Sequence, residues 1–312
     1  FALSVSERET AIRLLATEAG ASVTTDHPHL STILPNSGAR VQALTPPLTG
    51  APVLSIRKRP QKIFPLSSYV EAGIATEAQA AHLRRAIAAR RNIAVAGGTG
   101  SGKTTLLNAL LAEPEFQSAR IVLLEDTVEL QCAAPDHVQL LTRAAEPAIQ
   151  MRDLVRMTLR LRPDRIVVGE VRDGAALDVL KAWNTGHPGG LLSLHANSAL
   201  EALGRLEDLC AEVSVLPARR LVLAAVDLVV FIANDRGARR IAEILDVAAL
   251  RGAPPASASK RVPYAETAIG CASCAVAADA GAAADPALNG AASFGPSTSS
   301  QTTSCSATGD QR

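Results

Sequence analysis

One eight-residue run, Gly97-Gly98-Thr99-Gly100-Ser101-Gly102-Lys103-Thr104, constrains this chain more than any other stretch. It satisfies G-x-x-x-x-G-K-[ST], with a short apolar β-type run at residues 92–96 before it and a helix-forming run at 104–111 after it. Glycines let successive backbone N–H groups turn toward an anion without Cβ clashes. The helix that follows points the positive end of its dipole at the same place. Lys103 is then expected to reach the β- and γ-phosphates of a nucleotide and the Thr104 hydroxyl to ligate Mg²⁺. Gly97, Gly98, Thr99, Gly100, Ser101, Gly102 and Thr105 complete the expected cradle. The bland alternative is a glycine-rich turn that binds nothing; the strand before and the helix after weigh against it.

The surrounding pattern fits a sheet of parallel strands. Runs at 120–124 and 165–168 are short and β-rich, as strands buried on both faces are. Helical periodicity over 75–89 buries Ala80, Leu83 and Ile87. Strands alternating with helices predict an α/β fold, a doubly wound nucleotide-binding domain over 66–250. Residues 1–65 predict a smaller α/β domain: a helix over 7–19, strands near 30–34, 40–44 and 53–57, and prolines as turns. Because the chain starts at Phe1, that domain is read as lacking its beginning. Residues 251–312 are rich in Ala, Ser, Gly and Pro without periodicity, and are read as a disordered tail. The change of texture after Leu250 also fits a shifted reading frame; an intact frame in the source DNA would sink that reading.

Composition narrows the class. The chain has 312 residues, 47% apolar, which is enough for one large domain or two ordinary ones. A net charge of +1 argues against a bulk polyelectrolyte partner. No apolar run reaches the roughly 18 residues of a membrane helix; the longest, 221–232, is broken by Asp227. Ser6-Glu7-Arg8-Glu9 stands where a signal peptide would be apolar. Five scattered cysteines make a poor disulfide framework, so a reducing cytoplasm is the expected compartment.

Three clusters downstream carry further chemistry. Residues 120–130 read as a strand ending in Glu125 and Asp126; ligands of open α/β sheets lie at such strand ends. Residues 166–170 repeat the pattern, and Glu170 is placed to polarise a water or to hold the Mg²⁺ shell. His187 and His195 flank a glycine turn and a short strand. No zinc spacing accompanies them, so hydrogen bonding in a packed site is the expected role.

Together these boxes resemble the secretion-system traffic ATPases of type II and type IV secretion: the glycine-rich loop, the acidic box at 125–130, Pro163-Asp164-x-x-x-x-Gly169-Glu170-x-Arg172-Asp173, and Thr185-Gly186-His187 with Leu194-His195-Ala196-Asn197. Residues 125–135 and 180–190 look like the conjugal-transfer TrbB-type branch. The resemblance spans roughly residues 5–250. It implies a RecA-like ATP-hydrolysing motor domain behind an N-terminal domain, assembled as a homo-hexamer. Such a ring works at the cytoplasmic face of the inner membrane, held there through channel components. It implies Glu170 as the catalytic carboxylate, Glu125 in an acidic box supporting the water and the metal, and His195 as a γ-phosphate sensor. The tail is expected to have no counterpart.

Arginines are weighed separately, because a guanidinium from another domain stabilises the charge of phosphoryl transfer. Arg57 and Arg59 near the domain junction are the first candidates, Arg120 and Arg143 further ones, a solvated basic linker being the alternative. Arg152, Arg156 and Arg160 are spaced for one helical face; solvated or intersubunit roles outweigh DNA binding there, and no sequence-specific nucleic-acid contact is expected. Cys271-Ala272-Ser273-Cys274 is a single CxxC, too few thiolates for a structural zinc. The competing readings are a Tad or type IV pilus assembly motor, a nucleotide-binding scaffold without catalysis, and a DNA-dependent helicase, which shares the fold but lacks the histidine box.

Overall fold

The computed structural model describes residues 3–58, 62–143 and 146–251. Residues 252–312 of the tail, with the Cys271–Cys274 pair, and Arg59 lie outside the described residues. Helix α1 (Val5–Glu18) opens on a capping box, in which the Ser4 hydroxyl accepts from the Glu7 amide and the Glu7 carboxylate from the Ser4 amide. Strands β1 (His29–Ile33), β2 (Arg40–Leu44) and β3 (Val53–Arg57) form an antiparallel meander. One face packs Leu30, Val41 and Ala43 against Ile12 and Ala16 of α1. The other face carries Arg40 and Arg57, which are direct cross-strand partners.

The second sheet has seven strands. In chain order come α2 (Leu66–Glu71), α3 (Glu77–Ala88), β4 (Ile93–Ala96), α4 (Lys103–Leu111), β5 (Ile121–Glu125), β6 (His137–Leu141), α5 (Met151–Thr158), β7 (Arg165–Val168), α6 (Ala175–Asn184), β8 (Leu191–Leu194), α7 (Ala199–Ala211), α8 (Arg219–Ala225), β9 (Leu228–Asp235) and β10 (Ala238–Asp246). The sheet order is β10-β9-β4-β8-β7-β5-β6, parallel except for the β9–β10 hairpin. This is the mixed α/β, mainly parallel architecture expected of a RecA-like domain.

Alternation within the strands explains the layers. Ala94, Val122, Ile166 and Leu192 face a core built with α5, α6, α7 and α8. Ile93, Val95, Leu123 and Val167 face a second core built with α2, α3 and α4. Every residue of β4, β5, β7 and β8 is buried, and each large apolar side chain contributes roughly 1.5–3 kcal/mol. The apolar run 221–232 divides into α8 and β9, and among the described residues no helix is long and apolar enough to cross a membrane.

The expected arginine stripe does not hold together. Helix α5 ends at Thr158, so Arg160 lies past it. Arg162 sits at φ 53°, before Pro163, a position that disfavours helix. Arg152 instead pairs with Asp178 of α6 at 2.7 Å, and Arg156 with Asp153 of its own helix at 3.8 Å.

Candidate nucleotide site

The parallel strands end along one edge of the sheet, and their order sets the site. β4 runs into the glycine loop, β8 into His195, β7 into Gly169-Glu170 and β5 ends on Glu125. His195 therefore sits between the loop and Glu170. A cleft of about 530 Å³ opens there, lined by Thr99 to Thr105, Glu125 to Thr127, Glu129, Gly169 to Arg172, Ser193 and His195.

The loop needs its glycines for two separate reasons. A Cβ on Gly97 would stand 2.5 Å from the Ile232 carbonyl and 2.5 Å from the Ser101 hydroxyl. Gly102, the N-cap of α4, adopts φ 101°. Gly100 is clamped from the hairpin, its carbonyl accepting from Asn234 at 3.2 Å and Arg239 at 3.4 Å. Lys103 is buried, and its ammonium donates to the carbonyls of Gly97 at 3.0 Å and Gly98 at 3.1 Å. Burial pushes the Lys103 pKa below the ordinary lysine value; the Glu170 carboxylate opposes this and Arg172 reinforces it.

The acidic box separates its carboxylates. Glu125 is only 3% exposed. Its Oε1 accepts from the backbone N–H of Glu129 at 2.9 Å and of Leu130 at 2.8 Å, and its Oε2 from the Gln139 amide at 2.5 Å. Burial raises its pKa above the ordinary carboxyl value despite these hydrogen bonds. Glu129, absent from the sequence expectations as a site residue, is half-buried. Its Oε2 lies 3.4 Å from the Thr104 hydroxyl and 3.1 Å from an Arg57 guanidinium nitrogen. Asn108 of α4 fixes this stretch by donating to the Glu129 carbonyl at 3.1 Å and accepting from the Gln131 amide at 2.9 Å. Glu125 thus lines the cleft with its carboxylate turned back onto the backbone of the acidic box.

Glu170 is held by a neighbour two residues on. The Arg172 guanidinium grips its Oε2, with Nε at 2.8 Å, and reaches Asp126 at 3.9 Å. On the other side, His195 Nε2 is 3.9 Å from Glu170 Oε1 and 3.4 Å from the Thr99 hydroxyl. His187 lies at the opposite end of β8, against the Pro163 carbonyl at 3.0 Å, so the two histidines do not meet. Among the described residues no group of three or more His, Cys, Asp or Glu is arranged to hold a metal ion. A Mg²⁺ ion carried with a nucleotide needs less: one or two carboxylates, a hydroxyl and phosphate oxygens. The all-oxygen set of Thr104, Glu129 and Glu170 fits such a hard cation.

Arginines enter the cleft from several elements. Arg57 and Arg40 line it from the three-stranded sheet, Arg40 touching the Thr127 hydroxyl; Arg172, Arg205 and Arg239 line it as well. Of these the sequence reading weighed only Arg57 as a source of charge for phosphoryl transfer, Arg172 being quoted there only as part of its box. Two of its other candidates are elsewhere. Arg120 precedes β5 at the far end of the strand, bonded to Asp136 at 2.7 Å and to the Leu161 carbonyl at 2.8 Å. Arg143 donates to the Pro147 carbonyl at 3.0 Å beyond β6.

Comparison with known proteins shows the family. The family described as type II/IV secretion system protein matches residues 25–284, past the boundary at 250 expected from the sequence. The conjugal transfer protein TrbB of Rhizobium radiobacter is 48% identical over 72% of this chain and 70% of its own length. A probable conjugal transfer protein TrbB of Sinorhizobium fredii is 47% identical over 78% of this chain and 75% of its own. Among solved structures, the VirB11 ATPase of the Brucella suis type IV secretion system, in complex with sulphate, is 30% identical with a TM-score of 0.52, covering 80% of this chain and 82% of that one. The chain belongs to the type II/IV secretion system protein family, in the branch of the conjugal transfer protein TrbB.

Proposed function

We propose that this chain hydrolyses ATP to ADP and phosphate in the cleft between the glycine loop and the acidic box, and that it is the motor of a conjugal-transfer, type IV secretion system. The observation that carries the reading is the convergence on one strand edge of Lys103 and Thr104 with Glu129 and Glu170, His195 standing between Thr99 and Glu170. In this reading Lys103 and the loop amides of residues 97–105 hold the phosphates. Thr104 and Glu129, with Glu170 through water, hold Mg²⁺, which when bound neutralises charge on the phosphate oxygens. Glu170, fixed by Arg172, orients the attacking water and takes its proton. Arg57 and Arg40 supply positive charge from the three-stranded sheet, where charge develops in the transition state. His195 links Glu170 to the loop, so that loss of the γ-phosphate is felt by both strand ends.

The domain division follows the same lines: residues 1–65 as the arginine-bearing partner and 66–250 as the motor. The relatives' names support conjugation over a pilus motor, and the carboxylates in the cleft argue against a scaffold without catalysis. A homo-hexamer docked on inner-membrane channel components at the cytoplasmic face is the assembly this motor would use. ATPase rate measured together with native mass tests the reading. K103A is expected to abolish turnover, and E170Q to lower kcat by about 100-fold or more with nucleotide still bound. Full turnover in K103A refutes the site.

A further inference from the structure

We propose that Glu125 is a positioning residue: its buried carboxylate holds the main chain at residues 129–130, so that the Glu129 carboxylate stands at Thr104. This deepens the ATPase reading and rests on it. The geometry is lopsided in the way such a role requires. Oε1 of Glu125 receives two consecutive backbone N–H groups, those of Glu129 and Leu130, and so fixes the direction in which the Glu129 side chain leaves the loop. Oε2 is tied to Gln139 of β6, the neighbouring strand. The side chain packs closely over Gly169: a Cβ there would stand 3.1 Å from Glu125 Cγ and 3.3 Å from its Oε1, so the carboxylate would have to give by a few tenths of an ångström. Gly169 is itself strapped by its amide to the Leu124 carbonyl at 2.8 Å, and its carbonyl accepts from Ser193 at 2.6 Å. One carboxylate thus ties together the acidic loop, β6 and the residue before Glu170. A charged group that acts on water or metal needs access to them; of these two carboxylates the more exposed is Glu129, which contacts Thr104 and Arg57.

The substitutions separate shape from charge. Glutamine at 125 keeps an oxygen that can accept both N–H groups, and Gln139 can turn its amide to match; alanine removes the acceptor altogether. For the full chain, E125Q is expected to keep kcat within about tenfold of the parent, while E125A and E129Q each lose about 100-fold. The KM for ATP in E125A should move by less than about threefold, since the glycine loop is untouched. Hydrogen exchange over residues 126–131 should quicken in E125A and stay at the parent rate in E125Q and E129Q. An E125Q variant as inactive as E129Q would overturn the proposal, because the Glu125 charge would then act in the chemistry. So would parent-like kcat and exchange in E125A. Should E125A fail to fold, the contrast between E125Q and E129Q decides alone. A parent chain without ATPase activity sinks the proposed function, and the exchange measurement still tests the positioning role.

Discussion

At the level of single residues, the cleft owes its character to where burial falls among like side chains. Glu125 and Glu129 are four positions apart, yet one is enclosed and the other keeps a side chain 19% exposed beside Thr104 and Arg57. Enclosure has a thermodynamic signature. Burial raises the Glu125 pKa above its ordinary 4.5. A carboxyl raised on folding binds its proton more tightly in the native state. Its contribution to stability is therefore full below the unfolded pKa, and it is lost as pH rises through the raised native value. Glutamine in its place carries no such penalty. E125Q is expected to melt above the parent at pH 7–8, the difference shrinking as pH falls through the raised native value and levelling off below about 4.5. Thermal melts of both proteins across that range check it; a difference that grows toward acid pH would show that the native state favours the ionised form.

Secondary elements show the same dependence on local space. Gly190 precedes β8 where the strand passes α6: a Cβ there would land in the Trp183 ring and 2.7 Å from the Ile166 carbonyl. Gly204 lies in the exposed part of α7 with nothing within 4 Å. The same change thus has opposite signs. G190A is expected to cost about 1–3 kcal/mol, a fall of several degrees in Tm, whereas G204A should gain about 0.5–1 kcal/mol from helix propensity. Differential melts of the two variants test the packing directly. Elements were legible in the sequence where one signal dominated. β4 and α4 flank the loop as the motif requires, and β2, β3 and β7 match their predicted bounds. Segment 221–232 was legible only as apolar, because burial on both faces erases the period that tells helix from strand. Asp227 marks the change, its carboxylate accepting the Asn92 amide at 2.9 Å. β6 is an edge strand without clear alternation, and no pattern announced it. The acidic box displayed its carboxylates in sequence, but which one turns inward is decided by Gln139 and Gly169, through contacts that local spacing cannot encode.

Across the molecule as a whole, the three-stranded sheet meets the motor through arginines aimed at the acidic loop. Arg40 and Arg57 are cross-strand neighbours, and placing like charges side by side is unfavourable unless something negative faces them. Arg57 finds Glu129, and Arg40 the Thr127 hydroxyl. The ion pair itself adds little stability, since the Arg57 side chain is 65% exposed and such pairs are worth about 0–1 kcal/mol. Its value lies in position: Glu129 is shared between the sheet's arginine and the Thr104 hydroxyl. The R40A/R57A double variant is therefore expected to unfold within about 1 kcal/mol of the parent while losing about 100-fold or more in kcat. R57K should fall between, keeping the charge but losing the planar guanidinium that reaches Glu129. Melts and steady-state ATPase rates on the same preparations separate the two effects. A double variant with unimpaired kcat would mean that hydrolysis proceeds without the three-stranded sheet, leaving Arg57 and Glu129 as no more than a screened surface pair.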